Sequence, residues 1–93
     1  MNITDLHTQQ KEISAVPFFK GELTMSMQLE KNGTLKEHVT KTPALLLCIS
    51  GHVIYHEENK PEIHLKQGDY VHIPPLVKHW LFAPEKTQCL LFK

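Results

Sequence analysis

The stretch with the most chemical content is Gly68-Asp-Tyr-Val-His-Ile-Pro74-Pro75-Leu-Val-Lys-His79. Gly68-Asp69 makes a turn, Tyr70 to Ile73 a strand and Pro74-Pro75 a corner, which delivers His79 onto the next strand. There its imidazole is a candidate metal ligand. Seven histidines in 93 residues also make the charge of the chain sensitive to pH between about 5 and 8. Cys48 and Cys89 lack the CxxC spacing of a metal-binding thiolate pair.

Composition narrows the partners. Ten basic and ten acidic residues cancel, and no basic block stands out. Nucleic acid and membrane are therefore not expected as partners. The start Met1-Asn-Ile-Thr-Asp5 lacks the basic and apolar regions of a secretory signal. No apolar stretch approaches the ~20 residues of a membrane span. A cytoplasmic protein with reduced thiols is expected, in which Cys48 and Cys89 stay unbridged.

The elements that must position His79 are strands. Leu23, Met25, Met27 and Leu29 alternate with polar residues over 22–29, the pattern of a half-buried strand. Lys31-Asn32-Gly33 turns the chain into a second strand over 35–40. Ala44 to Ile49 is apolar on both faces and reads as a central strand. Ser50-Gly51 is a turn, and 52–56 with 62–66 forms a hairpin. Strands over 70–73, 78–82 and 87–92 complete the set. About eight short strands with frequent turn signals predict an all-β sandwich or barrel. One domain over 1–93 is expected, with an arm over 1–20 and a barrel over 22–92. Helix, if there is any, is confined to the first dozen residues, and Val16-Pro17-Phe18-Phe19 reads as an extended arm or edge strand.

These residues resemble the cupins, small double-stranded β-helix or jelly-roll barrels. The second cupin motif is G-x5-P-x-G-x2-H-x3-N; Gly68, Pro74 and His79 match it, while Leu76 replaces the glycine and Ala83 the asparagine. The first is G-x5-H-x-H-x3,4-E-x6-G; His38 and Gly51 match, and Gly33 is one residue too close. Thr40 stands where the second histidine belongs and Ala44 where the glutamate belongs. The stretches His38-Val-Thr40-Lys-Thr-Pro43-Ala44-Leu45 and Pro74-Pro75-Leu-Val-Lys-His79 are similar to those of small single-domain cupins.

The resemblance implies a reduced metal or ligand site. Cupins bind a divalent ion through three histidines and a glutamate, and this chain keeps His38 and His79. Two imidazoles without a carboxylate favour zinc, nickel or copper over iron or manganese. The resemblance implies either one such ion or none. Thr40 is a poor ligand but a polar group for a bound small molecule, so His38, Thr40 and His79 are the expected ligand-binding residues. Cys48, four residues beyond Ala44 and on the same strand face, is the remaining candidate for a third metal ligand; the alternative is a small buried hydrophobe. No acidic residue falls at an assignable inward position.

The family pattern puts Val53 and Tyr55 inward, so His52, Ile54 and His56 point out. Pairing Ile54 with His64 and His56 with Glu62 gathers His52, His56, His64 and Glu62 on the outer surface. His72 is not oriented by the pattern, and His7 lies near the start. Apolar residues on outer faces (Leu45, Leu47, Ile49, Trp80 and Phe82) call for cover, by the Phe18-Phe19 arm or by a second subunit. A homodimer is expected. Three functions fit: a small-molecule or metal-binding cupin, a metal-dependent enzyme of the dioxygenase or isomerase type, or a structural dimerising module.

Overall fold

The computed structural model describes residues 1–2 and 24–93 of the chain. Residues 3–12, within the stretch to which the sequence confines any helix, and the Val16–Phe19 segment lie outside the described residues. The described chain forms eight strands: β1 (Thr24–Leu29), β2 (Gly33–His38), β3 (Ala44–Ser50), β4 (His52–Glu57), β5 (Ile63–Lys66), β6 (Tyr70–Ile73), β7 (His79–Ala83) and β8 (Thr87–Phe92). They make two four-stranded antiparallel sheets, ordered β1-β8-β3-β6 and β2-β7-β4-β5. This is the expected jelly roll. The second strand begins at Gly33 and ends at His38, two residues before the expected bounds.

The core lies between the sheets. Ala44, Leu46 and Cys48 of β3 point into it, opposite Val53 and Tyr55 of β4. β3 pairs with β6 on one side and β8 on the other, and Ala44 through Cys48 are all buried. Leu45 and Leu47 face away from that cluster and are buried too. Each fully buried leucine contributes about 1.5–3 kcal/mol. Ile49, expected to be buried, is exposed, because the register shifts between Cys48 and Ser50. Met25, expected inward with Met27 and Leu29, is also exposed, since it lies near the start of edge strand β1.

Two turns depend on local chemistry. Gly51 adopts φ 92°, and a Cβ there would run into Lys86 O and Thr87 Oγ1. Thr87, fully buried, accepts the His52 N–H at 3.0 Å and directs its own proton toward His52 O and Glu85 O, each at 2.8 Å. The hydroxyl thus joins the β3–β4 turn to the start of β8. At the Pro74-Pro75 corner, Leu76 adopts φ 63° and is 75% exposed. This is the position at which the second cupin motif carries glycine. A β-carbon in that left-handed region costs about 1–2 kcal/mol.

Two outcomes follow. Gly51→Ala destabilises the fold by more than about 2 kcal/mol, read as a drop in the urea midpoint. Leu76→Gly stabilises it by about 0.5–1 kcal/mol, because relieved backbone strain outweighs the added freedom of the unfolded chain and no buried contact is lost.

Candidate functional site

His38 ends β2 and His79 begins β7, and the two are register partners. Regular pairing would not put them there. Leu35 pairs with Leu81, so three further steps along each strand would set His38 against Lys78. The register instead shifts by one between Leu35 and His38. A one-residue slip moves a side chain to the opposite sheet face. Lys36 and Glu37 are both exposed, and His38 turns inward beside His79. Glu37, displaced outward, lies 3.6 Å from the Lys78 ammonium.

The imidazoles meet nitrogen to nitrogen. His38 Nε2 lies 3.0 Å from His79 Nε2, with ring centroids 4.1 Å apart and the planes inclined by 62°. Each Nδ1 faces a backbone carbonyl two residues earlier: His38 toward Lys36 O at 3.1 Å, His79 toward Val77 O at 3.2 Å. A carbonyl oxygen only accepts, so each Nδ1 carries the proton and donates it. In the neutral rings both Nε2 atoms are then bare lone pairs directed at each other. A cation between them resolves that repulsion, either a proton or a metal ion. Backbone carbonyls commonly orient metal-binding histidines in this way. The 3.0 Å gap also matches two adjacent ligands each about 2.0–2.1 Å from one ion. Burial pushes His79 below its ordinary 6.5, so its ring is held neutral and open to a cation.

The pair caps a small apolar cavity of about 10 Å³. Met27, Leu35, Leu46, Ile73, Leu81 and Leu91 wall it, and Thr40 reaches its rim. The space suits one water-sized occupant. Thr40 Oγ1 donates to Thr42 O at 3.0 Å, and Thr40 O accepts the Leu76 N–H at 2.8 Å. Thr40 therefore fastens the Pro74-Pro75 corner beside the histidines. His38, Thr40 and His79 are brought together as expected from the sequence.

Cys48 stands apart from them. Its Sγ is directed toward Ser50 O at 3.6 Å, and it does not line the cavity. Among the described residues no group of three or more His, Cys, Asp or Glu side chains is placed to hold a metal ion. One acidic residue does point inward, contrary to expectation. Glu57 shares the inward face of Val53 and Tyr55, pairs in register with His79, and accepts the Tyr55 hydroxyl at 2.8 Å. Burial, and then this bond, push the Tyr55 hydroxyl well above its ordinary value. The signal was present in the alternation Val53, Tyr55, Glu57, which runs one step past the strand end inferred at His56.

The outer histidines gather as expected. His52 Nε2 lies 2.9 Å from His64 Nδ1, His64 Nε2 3.3 Å from Glu62 Oε1, and His56 Nε2 4.0 Å from Glu62 Oε2. His56 also stacks on Trp80, with centroids 5.3 Å apart. His72 is exposed, edge-on to Tyr70. His7 lies outside the described residues.

The bulge makes a specific prediction. Deleting Glu37 restores regular alternation and leaves His38 opposite His79. The deletion variant therefore folds and keeps a nuclear Overhauser contact between the two rings.

Comparison with known proteins agrees with this geometry. The family described as the cupin domain matches residues 25–92. Among curated proteins none matches the chain. Several solved structures share the fold. A cupin-like protein from Thermotoga maritima superposes with a TM-score of 0.68 at 29% identity, over 75% of this chain and 55% of that one. The chain thus spans about half the length of that relative. A cupin-2 domain protein from Shewanella frigidimarina gives 0.69 at 16% identity, over 97% and 86%. A cupin superfamily protein from Desulfitobacterium hafniense gives 0.66 at 14%, over 92% and 94%. The strand order, the placement of His38 and His79, and the family match over most of the chain together establish that this protein belongs to the cupin domain family.

Proposed function

We propose that this cupin binds a single divalent transition-metal ion between His38 Nε2 and His79 Nε2. The observation that carries the reading is the pair of Nε2 atoms 3.0 Å apart, in rings whose Nδ1 atoms both face a backbone carbonyl. An all-nitrogen pair without a carboxylate favours zinc, nickel or copper. A bound ion would polarise a water or small anion at its remaining positions. Thr40, which lines the same cavity, is a neutral polar group for such a co-ligand. The cavity of about 10 Å³ leaves room for water rather than for an organic substrate. The inward carboxylate, Glu57, is engaged by Tyr55 and belongs to no group of three metal-binding side chains. Both points favour binding over catalysis.

The filled interior also supports a second reading, a structural module that acts as a homodimer. Ile54, Trp80 and Phe82 lie half-buried on the outer face of the second sheet and offer an apolar surface for it.

Protein purified without a histidine tag or nickel column tests the first reading. Zinc, nickel and copper titrations should each give one strong site per chain in calorimetry. His38→Ala and His79→Ala should each weaken it at least tenfold, about 1.4 kcal/mol. Protons compete for the same nitrogens. With His79 held below 6.5, affinity is full above about pH 7 and falls as the pH drops through the histidine range. Unchanged binding in both variants would place the ion elsewhere, with the outer His52–His64 pair as the site to examine.

A further inference from the structure

Cys48 and Cys89 are free, fully buried and direct register partners across the central strands β3 and β8. The hydrogen bonds of Cys48 define the type of pair. Its N–H donates to Asp69 O and its carbonyl accepts from Gly68 N–H, both at 2.8 Å and both on the β6 side. No ladder bond of Cys48 is therefore directed at β8. The Cys48–Cys89 pair is a non-hydrogen-bonded one, the type in which facing Cα atoms lie about 4.5 Å apart and side chains approach most closely. That separation falls within the range of about 4.4–6.8 Å that a disulfide spans. Both side chains point into the core.

We infer that Cys48 and Cys89 form a reversible intrachain disulfide on oxidation by a water-sized peroxide. Cys48 is the residue that reacts first. It lies next to the register shift that exposes Ile49 and Ser50, whereas Cys89 lies mid-strand with both neighbours paired. The neighbouring Cys89 thiol pulls the Cys48 thiol below its ordinary value, and its closeness to Cys48, with burial, pushes Cys89 up. In the first step the Cys48 thiolate attacks one oxygen of hydrogen peroxide. The O–O bond breaks, Cys48 becomes a sulfenic acid, and hydroxide leaves and takes up the thiol proton as water. In the second, Cys89 sulfur attacks Cys48 sulfur. The S–O bond breaks, and the departing hydroxide takes the Cys89 proton. Two thiols and one peroxide give one disulfide and two waters. The bond would fasten β3 to β8 beside Leu46 and Leu91, a register pair that helps wall the histidine cavity.

Folded wild-type protein is treated with hydrogen peroxide, denatured, alkylated and mapped by mass spectrometry. The expected result is loss of both free thiols, a mass lower by two hydrogens, a Cys48–Cys89 cross-link within one chain, and full reversal by dithiothreitol. Cys89→Ser should trap a dimedone-reactive sulfenic acid at Cys48. Cys48→Ser should oxidise at Cys89 at least tenfold more slowly. The inference is overturned if the folded chain keeps both thiols at a peroxide concentration that oxidises the urea-denatured chain. It is equally overturned if the only disulfides join separate chains, or if both sulfurs over-oxidise without linking. The wild-type mapping decides the matter even if a serine variant fails to fold.

Discussion

The site depends on a one-residue slip in the pairing of β2 with β7. Side chains alternate along a strand, so the face to which His38 points is decided by the parity of its distance from Leu35. The separation is odd, and regular pairing would aim His38 at solvent. The bulge at Lys36–Glu37 corrects the parity, and the outer surface takes up the displaced Glu37 beside Lys78. Without it the barrel would still close, since β3, β4, β7 and β8 supply most of the core. It would enclose one imidazole instead of two.

Once the rings face each other, the carbonyls of Lys36 and Val77 decide their chemistry. They accept hydrogen bonds from the Nδ1–H groups, which leaves the two Nε2 atoms facing each other. A cation placed between the two nitrogens would relieve the repulsion of their lone pairs. The surroundings limit what else can enter. Leucine, isoleucine and methionine side chains beside the two rings leave a space of about 10 Å³. Where the cupin motif carries a histidine and a glutamate, this chain has Thr40 and Ala44, and neither is a strong metal ligand. What persists is a narrow, two-nitrogen site.

Much of the fold was legible in the sequence because it rests on local rules. Gly51 and Gly68 both adopt positive φ, where their turns require it. The apolar run of β3 marks a strand buried on both faces. The hairpin register that gathers His52, His56, His64 and Glu62 followed from a loop length and from the inward positions that the cupin resemblance implies. Other features were not legible, because they depend on pairing between distant segments. The slip in β2 is visible only against β7. Glu57 points inward because β4 runs one residue further than its composition suggests. The Cys48–Cys89 pairing needs the register of β3 on β8, which no local signal encodes. Ile49 reads as the end of a strand covered on both faces and is exposed because that register shifts just before it.

The tautomeric state of the two imidazoles tests the account most directly. Nitrogen-correlated NMR of the metal-free protein, followed by a zinc titration, reads each ring nitrogen separately. The account predicts protonated Nδ1 in both His38 and His79 throughout, with both Nε2 resonances moving together as one equivalent of zinc is added. A ring with its proton on Nε2, or Nε2 resonances unmoved by the metal, would contradict it.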